Sequence, residues 1–121
     1  MKEIYALIVR ALKPRIAQLT DKDIQHTFAS WELIPLMRNT NLVGVALRKE
    51  SELHLIIDPQ FQNTICFLKQ SKQIVEETIA KYGYADTKVS NEHTLGHRLA
   101  KILGFNVVGT DLETTHYKKE E

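Results

Sequence analysis

Apolar residues recur at helical spacing through residues 3–19, where Ile4, Leu7, Ile8, Ala11, Leu12, Ile16 and Leu19 fall on one face, and Pro14 should kink or divide that helix. A strand over residues 4–10 is the alternative reading. Thr20 with Asp23 three positions on resembles a capping box, so a second short helix is expected over 21–29, with Ile24, Thr27 and Phe28 on one side. Residues 32–37 are mostly apolar and are cut from the next run by Arg38, Asn39, Thr40 and Asn41, whose polar side chains favour a turn. Pro35 makes that segment an edge strand or one with a bulge. Residues 42–48 and 52–58 are separated only by Lys49, Glu50 and Ser51, which predicts a tight hairpin and, with the preceding run, a three-strand meander.

The pattern then changes period. From Asn63 onward, Phe67, Leu68, Ser71, Ile74, Val75, Thr78, Ile79 and Tyr82 form one continuous face, with Lys69, Gln70, Lys72, Gln73, Glu76 and Glu77 opposite. This is a long amphipathic helix, and Gly83 should end it at positive φ. A short strand over 87–89 follows, then a helix capped by Ser90 or Asn91 whose inner face is Leu95, Leu99, Ile102 and Leu103, closed by Gly104. Residues 105–108 and 114–117 make a last strand pair around Gly109, Thr110 and Asp111, and residues 118–121 should fray. The order predicts an α/β fold: a mixed, mainly antiparallel sheet flanked by helices, with one parallel pair across the long helix.

Composition narrows the class of partner. Lys plus Arg (16) nearly balances Asp plus Glu (15) in 121 residues, and no basic stripe interleaved with aromatics occurs, so neither a nucleic-acid binder nor a membrane-surface protein is expected. The lone Cys66 allows no intramolecular disulfide and no zinc cluster, and reads as a packing thiol. The apolar run at residues 4–9 is too short for a signal sequence or a membrane span, so the expectation is a soluble, cytoplasmic protein folded as one domain over 1–121.

One junction stands out as a ligand site. The strand ending near Asp58 feeds through Pro59 into a helix N-terminus, where unpaired N–H groups and the helix dipole attract anions, so residues 56–65 are the first place to look.

The element order, the hairpin LVGVALR…ELHLIIDP, the helix after its second strand and the later Asn-started helix ending in Leu103, Gly104 and Phe105 together resemble the GNAT acyltransferase superfamily over roughly residues 20–118. The resemblance implies an acyl-CoA N-acyltransferase fold and acetyl-CoA as cofactor, with direct transfer of the acetyl group to an amine of a small molecule or protein. It further implies cofactor contacts at Ile56, Ile57, Gln62, Asn63, Thr64 and Ile65. The family's loop has the form Gln/Arg-x-x-Gly-x-Gly/Ala, whereas this chain reads Gln60-Phe61-Gln62-Asn63-Thr64-Ile65 and lacks both glycines. Side chains at Asn63 and Ile65 narrow the cradle that glycines leave open to a phosphate. Ala100 stands where the family carries a Tyr acid, and Asn91 lies about two residues early.

Direct transfer needs a base for the acceptor's ammonium and a donor for the carbonyl oxygen. Glu52, His54, Ile56 and Asp58 share one face of the strand, which puts His54 forward as the base, since an imidazole titrates near neutrality. The bland alternative is a histidine on a half-buried sheet face. Asn91 and His97 are candidate contacts for the cofactor arm or the acceptor, against a surface cap and a surface imidazole. His93 and His97 at i and i+4 supply two potential metal ligands, too few without Glu92 and His116, so no metal is expected. Trp31 reads as core or rim packing. Two functions stay open: an acetyltransferase, or a non-catalytic descendant of the fold serving as a protein-binding or virion-associated module, since the bare plan also resembles small bacteriophage-encoded GNAT-like proteins. The edge at 105–108 could pair two copies as a homodimer.

Overall fold

The computed structural model describes residues 2–12, 21–61 and 67–121. Pro14, the Thr20 cap, Cys66 and the loop residues Gln62, Asn63, Thr64 and Ile65 lie outside them. The elements run α1 (Lys2–Leu12), α2 (Asp21–Thr27), β1 (Glu32–Arg38), β2 (Asn41–Lys49), β3 (Glu52–Ile57), a 3₁₀ turn (Pro59–Phe61), α3 (Leu68–Tyr82), β4 (Tyr84–Ser90), α4 (Thr94–Ile102), β5 (Asn106–Thr110) and β6 (Thr114–Glu120). The strands are ordered β1-β2-β3-β4-β6-β5 in a mixed, mostly antiparallel sheet. The chain divides into two compact units, Met1–Lys49 with Leu55–Phe67, and Glu50–His54 with Leu68–Glu121, so β3 contributes to both.

In the first unit α1 is a helix, which resolves the choice between helix and strand. Ile4, Leu7 and Ile8 recur at the i, i+3, i+4 spacing of one helix face and close against Val45 and Leu47 of β2. Leu7 and Ile8 are fully buried, each worth roughly 1.5–3 kcal/mol in surface removed from water. Trp31, Phe28, Leu33 and Ile56 pack around this cluster, so the tryptophan serves packing as expected. β1 is the outer strand and carries both devices anticipated for a proline-bearing segment: an edge position and an irregularity between Leu36 and Met37. The turn after β2 bends at Glu50, whose φ is 54°. Gly44 of β2 has a packing role: a Cβ there would lie 2.8 Å from the Ile56 carbonyl oxygen and 3.0 Å from Ile57 Cδ1.

In the second unit the long helix buries Ser71, Ile74, Val75, Thr78 and Ile79, the face expected, and Thr78 Oγ1 donates to the Ile74 carbonyl at 2.7 Å. Gly83 ends it at φ 88°, its N–H donating to the Ile79 carbonyl. The parallel pair is present as Glu52 opposite Asp86.

Four local expectations need correction. β4 runs from Tyr84 to Ser90 rather than 87–89, because antiparallel β6 pairs with it residue for residue, from Tyr84 opposite Glu120 to Ser90 opposite Thr114. The same ladder removes the frayed tail: Lys118, Lys119 and Glu120 are strand residues, and Lys119 Nζ donates to the Leu103 carbonyl at the end of α4. The helix α4 takes His93 as its N-cap, with no side-chain capping bond, because the Asn91 amide is used elsewhere. Its buried positions are Leu99 and Ala100, followed by Leu103, while Ile102 is 45% exposed. Gly96 sets that phase: a Cβ there would lie 2.7 Å from Val89 Cγ1, so the helix approaches β4 along its small residues.

Candidate active site

At the end of β3, Asp58 is buried (3% exposed) although charged, and its surroundings show why it is tolerated there. Oδ2 accepts from Arg10 Nη2 at 2.7 Å, Oδ1 accepts from the Gln60 N–H at 3.1 Å, and the Asp58 N–H donates to the Val43 carbonyl at 2.9 Å. Phe61 N–H closes the turn on the Asp58 carbonyl at 2.8 Å. Strand, turn and α1 are thereby joined at the residue that precedes the candidate loop. The Arg10 side chain is half exposed, so this junction presents a cation. Asp58 lies within the 56–65 window expected from sequence, whereas Arg10 and its pairing with Asp58 are not anticipated there, because a separation of 48 positions leaves no local signal. Of the two isoleucines before Asp58, Ile57 is buried and Ile56 packs against the α1 cluster.

His54 lies earlier on β3. Its Nε2 is 2.6 Å from Glu52 Oε2, two residues back on the same strand face, with both side chains about 30% exposed (29% and 30%). Beside them, Asp86 Oδ1 is buried without a hydrogen-bond partner.

Asn91 and His97 are each hydrogen-bonded within their unit. Asn91 Nδ2 donates to the Asp111 carbonyl at 3.0 Å and its Oδ1 accepts from Thr115 Oγ1 at 2.7 Å. His97 Nε2 meets the Ser90 carbonyl at 2.9 Å, and because a carbonyl only accepts, that nitrogen carries hydrogen. Its Nδ1 therefore accepts from the buried Tyr117 hydroxyl at 2.7 Å in the neutral ring. The turn they support is shaped by Asp111, whose carboxyl is held well below the usual carboxylate range, first by the Thr114 backbone N–H, then by that of Glu113 and by His116. His93 does not meet His97 at a metal: among the described residues no group of three or more His, Cys, Asp or Glu is placed to hold one. No described helix is long and apolar enough to cross a membrane.

No family model matches the sequence, and no curated protein matches it either. Solved structures do match over nearly the whole chain. A GNAT family acetyltransferase from Elizabethkingia anophelis with acetyl-CoA bound is 15% identical, with 97% of this chain and 90% of that one covered at a TM-score of 0.70. An acetyltransferase from Bacillus subtilis in complex with CoA is 12% identical, with 100% and 93% covered at 0.72. The ribosomal-protein-S18-alanine N-acetyltransferase of Escherichia coli is 13% identical, with 96% and 84% covered at 0.68. These matches over nearly the whole chain show that it carries the GNAT acetyltransferase fold.

Proposed function

We propose that the protein transfers an acetyl group from acetyl-CoA directly to an amine. The observation that carries this reading is the fold match over nearly the full chain to acetyltransferases solved with acetyl-CoA or CoA bound. The donor chemistry at the end of β3 fits such a ligand: a half-exposed guanidinium stands at a strand-to-turn junction held by Asp58, and phosphates favour that group. In this reading Arg10 and the loop residues Gln62, Asn63, Thr64 and Ile65 hold the phosphates, and the main chain at Ile56 and Ile57 meets the arm. Asn91 and His97 fix the β4–α4 connection. Bound acetyl-CoA supplies an activated thioester acetyl group.

His54 is the base. It takes a proton from the acceptor's ammonium, which frees the nitrogen lone pair to attack. The acceptor class is an amine of a small molecule or a protein, the latter illustrated by the neighbour named for a ribosomal-protein alanine.

Thermal unfolding with acetyl-CoA or CoA tests the cofactor. At 100 times its dissociation constant a ligand adds about 2.7 kcal/mol, a clear rise in Tm. An unchanged Tm at millimolar CoA sinks the proposal.

A further inference from the structure

We infer that the outer edge of β5 is a self-association surface, on which a second copy of this chain packs antiparallel about a two-fold axis close to Val108. β5 ends the strand order and, among the described residues, pairs with β6 alone. Edge strands are commonly blunted by charged side chains or proline. β1, the strand at the other end of the order, carries Pro35, Glu32 and Arg38. β5 reads Asn-Val-Val-Gly-Thr, with neither a charge nor a proline. Its register shift between Val107 and Gly109 leaves Val108 without an opposite number on β6, and both valines are exposed, at 54% and 63%.

The exposed large apolar side chains of the second unit fall into two groups. Tyr82 and Tyr84 each carry a lysine ammonium over the ring, Lys81 at 5.4 Å and Lys118 at 4.6 Å. The others, Ile102, Val107, Val108 and Leu112, lie on β5 or beside its two ends. Both ends are held before any partner arrives. Leu112, 99% exposed, stands on a turn fixed by the Asp111 carboxylate, which accepts from the Glu113 and Thr114 N–H groups at 2.9 and 2.8 Å. At the other end Lys119 Nζ, on the Leu103 carbonyl at 3.2 Å, ties the close of α4 to β6. An ordered surface gives up little conformational freedom on docking, so its apolar area counts toward association.

The order of charges along this edge favours a second copy as the occupant. In an antiparallel pair of identical strands, the N-terminal end of each lies beside the C-terminal end of the other. The N-terminal flank of β5 carries Lys101 and Ile102, and the C-terminal flank carries Leu112 and Glu113, all exposed. Each flank then meets its complement: Lys101 is brought toward Glu113 of the partner subunit, and Ile102 toward the partner's Leu112. Two parallel strands would instead set like charge beside like charge.

Sedimentation of the full chain from micromolar to millimolar concentration tests this, and wild type should approach twice the chain mass as concentration rises. Val108→Lys sets two ammonium groups together at the axis and should raise the dimer dissociation constant about a hundredfold or more. Leu112→Ser, at a position wholly in solvent in the single chain, should raise it about tenfold without lowering Tm, and it carries the test if Val108→Lys does not fold. Lys101→Glu should also weaken the dimer, and adding Glu113→Lys to it should restore wild-type association. A chain that stays monomeric at millimolar concentration overturns the inference. So does a dimer indifferent to Val108→Lys and Leu112→Ser, or a charge swap that gives no rescue.

Discussion

Arg10 on the first helix and Asp58 at the end of the third strand meet at 2.7 Å across 48 positions of sequence. The buried carboxylate serves two donors, the guanidinium and the Gln60 N–H, so the junction that precedes the loop is held from both sides. Asp58→Ala leaves a backbone N–H and half of an ion pair without partners. It should lower stability by about 1–3 kcal/mol, read as a fall in the urea midpoint, whereas Arg10→Ala, which removes the guanidinium proposed to hold the phosphates, should weaken CoA binding more.

His54→Ala should reduce kcat by roughly 10²–10⁴-fold and leave KM for acetyl-CoA close to wild type, since the base acts on the acceptor and not on the cofactor. Steady-state assays with acetyl-CoA varied at saturating amine separate the two. A variant retaining wild-type kcat removes His54 from the mechanism.

Gly44→Ala tests the close approach of β2 to the Ile56 carbonyl. A Cβ would meet backbone at 2.8 Å and the Ile57 and Leu36 side chains at 3.0 and 3.2 Å, so the strand must shift. A loss of about 1–3 kcal/mol is expected in chemical denaturation.

Leu7→Ala probes the cluster under α1. Leu7 is wholly buried between helix and β2, and the truncation should cost about 2–5 kcal/mol, the spread reflecting how far the site collapses.

The turn at Asp111 sets an acid-side pH dependence. Its folded carboxyl is depressed by the Thr114 and Glu113 N–H groups and by His116, so its contribution is present above the unfolded value of about 3.9 and is lost as pH falls toward the folded one. Asp111→Asn keeps an acceptor oxygen but not the charge. Its urea midpoint should lie below wild type near neutral pH, and the gap should close progressively below about pH 4. A gap that is constant with pH refutes the linkage.

How far the sequence was legible depends on the range of each interaction. The meander, the long helix and its stop at Gly83 were readable because period, turn residues and a glycine able to take φ 88° are local properties. Errors arose where a distant partner decided. Residues 118–121 look like a charged tail, yet Lys118 to Glu120 pair with β4 and Lys119 reaches the end of α4, contacts that no window around them contains. Ile102 and Ala100 exchanged roles for the same reason: hydrophobicity favours burying the isoleucine, whereas the close approach of Gly96 to Val89 brings the alanine side inward.

By itself, then, the sequence determined the element order, the position of the β3–α3 junction and His54 as a polar residue on a strand face, because hydrophobic period and turn chemistry act over a few residues. Only the tertiary structure joined Arg10 to Asp58 and tied the polar atoms of Asn91 and His97 to partners on β6 and the turn before it. Those relations depend on strand register and on helix docking, which are selected by the packing of the whole chain rather than by any segment of it.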